Sequence, residues 1–469
     1  MVPTVRSFSA EFEPLRLIAR FPQFYPGLLE SRAHAAAHGV RHGGRFDILP
    51  ISCGQCLCLD ADRRLTGPHS SGADGFLAAL EAWWTALRAP DAPRRPTIAA
   101  DAAQENAAAL PFTGGWLLYL GYELATEIEP SLTLPSSPDS VMALAIRTPA
   151  AWIRDRTTWR AWLVAEPGFD ALLDTFETHV RESREPAPAA QRPRFDVHEE
   201  DPARFLEAVA RALRYIAAGE VYQANLSREW RATCAVPVDP VALYERLRST
   251  NPSPFAAMMR HGNFSLMSSS PERLLAIRAG SISTRPIAGT RPRGTSPAAD
   301  TALLESLLTN EKERAEHVML IDLERNDLGR VCVGGTVRVD EYMGLETYAH
   351  VHHLVSNVSG RLRDDVSPVQ AIRALFPGGT ITGCPKVRCM QIIAELEGIG
   401  RGAYTGSLGY LNRDGSCDLN ILIRTVTADA AALRFRAGAG IVADSVPLQE
   451  LAETRAKAEG MLRALENAS

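Results

Sequence analysis

The sequence predicts an α+β fold built on antiparallel sheets, and three features carry that prediction. Strand-like runs follow one another through short turns, as at residues 274–277, 404–411, 420–427 and 433–438. Long helical patterns fall between groups of such runs instead of alternating with single strands, which disfavours a doubly wound parallel sheet. The composition is that of a globular chain, with 46% hydrophobic and 22% charged residues over 469 positions, a length that suggests two or three domains or one large one.

Taken in order, residues 48–59 alternate like a strand. Cys53, Cys56 and Cys58 then read as small strand residues, because no second Cys or His pair stands nearby at zinc-ligand spacing. A helix over 75–87 and a strand over 115–120 follow, separated by an Ala- and Pro-rich surface loop at 88–109. A second Pro- and Ala-rich stretch at 186–201 reads as a linker between an N-terminal region, 1–185, and a larger one, 202–469. The larger region opens on a helix. Asp201 can cap it, Pro202 suits its first turn, and Phe205, Val209, Leu213 and Ile216 recur at helical spacing. Two further helices are expected at 310–328 and 448–465, while Cys384 and Cys389 read as packing residues.

A net charge of -5 gives no reason to expect a nucleic-acid or anionic-membrane partner. No apolar run approaches the roughly 18 residues that span a bilayer. The first residues lack the apolar stretch of a secretory signal, so a cytoplasmic location is expected. Eight cysteines spread over the chain do not suggest a disulfide framework.

Several segments could carry chemistry. In Arg285-Pro286-Ile287-Ala288-Gly289-Thr290, Pro and Gly flank a small unreactive residue, a path that lets a ligand approach the main chain. Each long helix carries two glutamates three apart, Glu313 with Glu316 and Glu450 with Glu453; facing carboxylates suit a hard cation such as Mg²⁺. Glu272, set by a turn, could donate a proton if burial raised its pKa. His353 follows His352 in an apolar segment. The Gly- and Thr-rich run around Thr380 departs from a phosphate loop, because Cys384 stands where a Lys should follow Gly383. Its N–H and hydroxyl groups, like Gly438-Ala439-Gly440, could still meet a carboxylate, and Arg424 could clamp one.

In this order the segments resemble the chorismate-utilising enzymes, including the large subunits of anthranilate synthase and aminodeoxychorismate synthase. The resemblance runs through Gly219-Glu220-Val221-Tyr222-Gln223-Ala224-Asn225-Leu226, Ser270-Pro271-Glu272-Arg273, Pro286 to Thr290, Glu313-Arg314-Ala315-Glu316-His317, Asp322 to Asp327, His352 to Ser356, Gly378 to Lys386, and Gly438 to Ser445. It is looser in the N-terminal half, at Leu28-Leu29-Glu30-Ser31 and Gly121-Tyr122-Glu123-Leu124.

The resemblance implies a sandwich of large antiparallel sheets with helices outside. It also implies that Glu316 and Glu453 ligate Mg²⁺, with Glu313 and Glu450 assisting through water, and that the metal holds the ring carboxylate of chorismate. Tyr404, Arg424 and the backbone of Gly438, Ala439 and Gly440 would hold the enolpyruvyl carboxylate, with Lys457 also at the substrate. Gly289, Thr290 and Thr380 would line the ring, Glu272 would protonate the departing hydroxyl at carbon 4, and His353 would face the ring. Ser31 and Pro252 fall in elements resembling a tryptophan site, so a tryptophan-binding regulated subunit is the reading from another class.

Water-adding relatives carry a Lys base where this chain has Gln223. A neutral amide cannot usefully deprotonate water, so ammonia is the implied nucleophile. None of the cysteines lies in a Gly-x-Cys-x-Gly elbow, and a separate glutamine amidotransferase subunit is expected to supply the ammonia. Ala288 resembles anthranilate synthases, since most aminodeoxychorismate synthases carry Lys there. The segments at 351–356, 376–383, 407–410 and 418–420 resemble the aminodeoxychorismate group, a subclass of which carries Ala. The favoured expectation is therefore amination at carbon 4, with anthranilate synthase component I as the alternative.

Overall fold

The computed structural model describes residues 3–32, 44–88, 110–183, 193–348, 351–429 and 432–466. Among these residues, strands pair antiparallel into two sheets, of twelve and eleven strands. The first runs from the strand Thr4–Phe8 at one edge to Asp196–Glu199 at the other. The second runs from Ile287–Pro292 to the short edge strand Leu65–Thr66.

Alternation of side chains makes these sheets a sandwich. In Gly115–Leu120 of the second sheet, Leu117 and Tyr119 point inward to Ala257, Met259, Phe264 and Leu266 of the first. Trp116, Leu118 and Leu120 point outward to the helices Phe76–Leu87 and Pro368–Leu375. The outer face of the first sheet, with Met258, Met267, Trp230 and Phe435, is covered by Pro14–Arg20, Ala171–Glu182, Pro240–Thr250 and Pro447–Leu465. The helices therefore lie outside two facing sheets, the α+β architecture expected from the sequence.

The two regions proposed from composition contribute to both sheets. In the first, Gly27–Glu30 pairs with Phe255–His261, Leu28 opposite Met258. In the second, Gly115–Leu120 pairs with Ser407–Asn412, Leu117 opposite Tyr410. The stretch expected as linker is partly strand, because Asp196–Glu199 pairs with Gln223–Thr233. The loop expected at 88–109 lies outside the described residues beyond Arg88.

The helices fall close to expectation: Glu311–Gly329 is capped by Asn310, and Pro447–Leu465 buries Leu451, Ala458, Met461 and Leu465 along one face. Three expected strands end differently because the chain switches sheets or turns inside a continuous apolar pattern. Residues 48–59 break after Ile51, so Phe46–Ile51 joins the first sheet and Cys56–Asp60 the second; Cys53 is in the turn, with Cys56 and Cys58 on the strand. Residues 420–427 break between Cys417–Asn420 in the second sheet and Thr425–Asp429 in the first, leaving Arg424 off both strands with φ 52°. The strand expected from Tyr404 begins at Ser407, after a turn in which Thr405 has φ 63°.

Candidate active site

Two sheet crossovers lie side by side and place the first site residues. One runs from Phe264–Ser270 through Pro271 and Glu272 to Arg273–Arg278; the other passes through Ile421 to Arg424. Ile421 N donates to Glu272 O at 3.0 Å, and Ser269 N to Arg424 O at 3.0 Å. The ladder bonds that continue across the crossovers fix Glu272 and Arg424 relative to each other.

The Glu272 carboxyl is buried, and Thr380 Oγ1 donates to its Oε1 at 2.8 Å. Burial pushes it up to about 7, against the lowering pull of the Thr380 bond, the Lys457 charge and the Ile287 N–H. Thr380 sits on the short 3₁₀ turn Gly379–Ile381. The Ile287 bond brings in the strand Ile287–Pro292, which carries Ala288, Gly289 and Thr290.

That strand pairs with Val351–Arg361, with Ala288 opposite Leu354 and Thr290 opposite His353. The register shifts between them because Gly289 bulges, at φ 69°. Thr290 Oγ1 lies 2.9 Å from His353 Nδ1. Burial, and then the nearby Arg424 charge, hold the His353 imidazole down to about 3, so it is neutral near pH 7. His352 points elsewhere, with Nδ1 on Thr347 Oγ1 and Nε2 on Asp300 Oδ1, each at 2.9 Å.

A second group gathers on Ala432–Ile441 and its neighbour Gln223–Thr233. A Cβ at Gly440 would lie 2.3 Å from Gln223 Nε2, and one at Gly438 would lie 2.5 Å from the Tyr404 hydroxyl. Only the missing side chains admit these approaches. Ala439, between them, packs into the core. Gln223 Nε2 donates to Glu316 Oε1 at 3.3 Å, and its buried Oε1 has no partner among the described residues. Lys457 Nζ donates to Gly438 O at 3.0 Å and pairs with Glu453 at 2.6 Å.

Two donors at the site are unspent. Among the described residues the Arg424 guanidinium makes no ion pair or side-chain hydrogen bond, and the Tyr404 hydroxyl makes no hydrogen bond. Burial works against the Arg424 charge and raises the Tyr404 hydroxyl to about 12, so near pH 7 Tyr404 stays a proton donor. An unpaired guanidinium in a half-buried position costs solvation that an anionic ligand would return.

Glu313 and Glu316 project from Glu311–Gly329, and Glu450 and Glu453 from Pro447–Leu465. Glu313 pairs with Arg291 at 2.6 Å, while its buried Oε2 has no hydrogen-bond partner among the described residues. Among the described residues no three acids, histidines or cysteines converge as a ready metal centre. The donor chemistry nonetheless fits a hard divalent cation: all four groups are carboxylates, one with an unsatisfied buried oxygen. Arg291 and Lys457 hold two of the four in ion pairs instead.

Ser31 and Pro252 fall in segments that do meet, since Arg32 N donates to Ser253 O at 2.9 Å. Ser31 N donates to the buried Asp47 at 3.3 Å.

Sequence reasoning assigned no role to Glu324, whose buried carboxyl is pushed up to about 8 by burial, then by Asp327. Its signal was present, because Leu320, Ile321, Glu324 and Leu328 form one stripe, and a glutamate on an apolar stripe is buried with it. Beside it, Lys386 Nζ pairs with Asp327 at 2.5 Å.

Among the described residues, no helix is long and apolar enough to cross a membrane. A family model described as chorismate binding enzyme matches residues 67–463. An anthranilate synthase component I-like protein of Synechocystis is 44% identical over 365 residues, 76% of this chain and 74% of the relative. Aminodeoxychorismate synthase component 1 of Bacillus subtilis is 50% identical over 262 residues, 56% of this chain and 55% of the relative, so the chain matches about half of that protein's length. The crystal structure of anthranilate synthase component I from Streptococcus pneumoniae superposes with a TM-score of 0.76 at 29% identity, covering 97% of this chain and 100% of the other. With its family match spanning most of its length and both sheets, the chain belongs to the chorismate binding enzymes.

Proposed function

We propose that this chain is the chorismate-aminating component of an aminodeoxychorismate synthase, producing 4-amino-4-deoxychorismate with ammonia from a glutamine amidotransferase subunit. One observation carries the site reading: the unpaired Arg424 guanidinium lies near the neutral His353, with the buried acid Glu272 at the neighbouring crossover. A dianionic substrate that must lose a hydroxyl needs a cationic clamp and a protonated acid together.

In this reading Arg424, Tyr404 and the Gly438–Gly440 backbone bind the enolpyruvyl carboxylate. Thr290, Thr380 and the bulge at Gly289 line the ring, and the small Ala288 leaves no amine to attack it. Ammonia adds at carbon 2, the ring double bonds shift, and the carbon 4 hydroxyl leaves as water with the Glu272 proton. The unpartnered Gln223 Oε1 can accept an N–H of the incoming ammonia, though a neutral amide does not serve as its base. A second ammonia then attacks carbon 4 and displaces the first. Glu316 and Glu453, backed by Glu313 and Glu450, would hold Mg²⁺, which supplies charge neutralisation for the ring carboxylate. His353, uncharged, orients Thr290 and adds no charge of its own beside the dianionic substrate. Tryptophan is the proposed occupant of the Ser31 and Pro252 segments.

The second reading, anthranilate synthase component I, is favoured by Ala288 and by the names of the Synechocystis and Streptococcus relatives. Against it stand the segments around the ring and the 50% identity to the Bacillus subtilis protein. Purified protein given chorismate, Mg²⁺ and ammonium decides between them. A product that yields p-aminobenzoate only after an added lyase supports the first. Anthranilate fluorescence without a lyase establishes the second.

A further inference from the structure

The turn that presents Tyr404 is anchored by carboxylates from far away in the sequence. Three consecutive backbone N–H groups, of Arg401, Gly402 and Ala403, point at two acids of the N-terminal part of the chain. Arg401 N donates to Glu123 Oε1 at 2.6 Å, and Gly402 N reaches both oxygens of Glu123, at 3.2 and 3.1 Å. Ala403 N donates to Asp139 Oδ2 at 2.8 Å, and Thr427 Oγ1 donates to Asp139 Oδ1 at 3.1 Å. Tyr122 N returns a bond to Gly402 O at 2.8 Å.

Both acids are 3% exposed. Burying two carboxylates is a costly way to brace a turn, since amides or carbonyls would satisfy the same N–H groups with less desolvation. What an ionised carboxylate adds is stiffness, because the N–H bonds it accepts are shorter and about twice as strong as neutral ones; here those bonds pull against the burial that raises Glu123 to about 7 and Asp139 to about 6. The fit is also close, because a Cβ on Gly402 would lie 2.2 Å from Asp139 Oδ2. From the other side, the Arg401 side chain bonds Glu397, Asn225 O and Thr405 Oγ1, and its guanidinium stands 5.4 Å from the Tyr404 ring. The turn is clamped on both faces, and Tyr404 is the side chain it aims at Gly438.

We infer that Glu123 and Asp139 are positioning residues for substrate binding: they set where the Tyr404 hydroxyl stands, and so fix affinity for a substrate carboxylate. Neither touches the ring-facing residues Glu272, His353 or Thr380, so they act on binding and not on the chemical step. The inference rests on the reading of Tyr404 as a carboxylate contact. It gives the 3₁₀ turn Tyr122–Leu124 and the bend at Asp139, both in the N-terminal part of the chain, a role in a site otherwise built from residues after 222.

The test uses Glu123→Gln and Asp139→Asn, which keep volume but turn an acceptor toward a donor against the N–H groups. Gly402→Ala loosens the same anchor from the loop side with both acids intact. Each protein is assayed with chorismate, saturating Mg²⁺ and ammonium after a thermal melt shows which are folded. The expected result is a KM for chorismate raised about tenfold, the worth of one charge-assisted bond, with kcat changed less than about twofold. Folded variants with wild-type KM overturn the inference, as does a fall in kcat at unchanged KM. If wild type consumes no chorismate under these conditions, the functional reading fails instead, a separate outcome.

Discussion

Thr380 Oγ1 donates to Glu272 Oε1 at 2.8 Å, joining the turn after Pro368–Leu375 to a crossover between the sheets. The bond orients a carboxyl that burial holds up to about 7, where it can both carry and release a proton. Glu272→Gln preserves size and the Thr380 contact but has no proton to give. Its kcat should fall about 10²–10⁴-fold, the range of general acid catalysis, while calorimetric binding of chorismate stays within about threefold. Equal losses in binding and turnover would assign Glu272 to substrate binding instead.

The same residue gives a stability prediction of definite sign. Its folded pKa, about 7, lies above the ordinary 4.5, so the folded state holds the proton more tightly than the unfolded chain. That contribution is fully present below pH 4.5 and is lost as pH rises through about 7. Glu272→Gln escapes the loss, and should gain on wild type by up to about 3 kcal/mol between pH 5 and 8. Urea melts at the two pH values measure it. Glu123 and Asp139 are raised in the same direction but are common to both proteins, so they cancel in the comparison. Glu324 is raised by burial and in part by the Glu272 charge, so the substitution relieves it in the same direction as the predicted gain.

Thr380→Val tests the bond itself. The Thr380 bond lowers the Glu272 pKa, so losing it leaves burial less opposed and moves the carboxyl above 7. The alkaline limb of kcat should shift upward by about half a unit to one unit, since each unit is worth about 1.4 kcal/mol and a hydrogen bond about 1. A downward shift would mean that water reaches the site when the threonine is removed.

Much of this arrangement was legible in the sequence, and the exceptions share a cause. Helices declared themselves through caps and spacing, as with Asn310 ahead of Glu311–Gly329 and Pro447 at the start of the last helix. Site residues were found through short ordered segments, several of which lie at places where the backbone departs from regular structure. What the sequence concealed were the sheet switches. Apolar alternation continues across residues 420–427 whether or not the chain changes sheet, so Arg424 read as a strand residue when it stands in a crossover. Glu123 and Asp139 were hidden differently: their partners are backbone N–H groups 264 to 279 positions away, which leave no residue-type signal.

Gly289→Ala should damage both stability and turnover. Gly289 has φ 69°, which costs an alanine about 1–2 kcal/mol, and its Cβ would meet Glu313 Oε2 and Leu307 Cδ1 at 2.7 Å each. Relief of that clash pushes the bulge between Ala288 and Thr290, or moves Glu313. A loss of about 2 kcal/mol or more in a urea melt is expected, with kcat/KM reduced. A variant as stable as wild type would show that the bulge can flatten without cost.

The carboxylates on the two long helices give the last prediction. Glu453 is held by Lys457 at 2.6 Å and Glu313 by Arg291 at 2.6 Å, so each helix offers one acid paired to a cation of its own protein. These pairs are partly exposed and individually weak. A divalent ion, with twice the charge of either side chain and a demand for several oxygens, can outcompete them once substrate brings a further carboxylate. Chelation should therefore abolish turnover, Mg²⁺ should restore it, and Mg²⁺ should bind more tightly when chorismate is present. Glu453→Ala should lose at least about a hundredfold in kcat/KM at low Mg²⁺, with part of the loss recovered at high concentration. Lys457→Met separates the roles: freeing Glu453 should tighten Mg²⁺ binding, while losing the bond to Gly438 O weakens binding of chorismate. Wild-type turnover by Glu453→Ala in the presence of a chelator would remove this helix from the metal site.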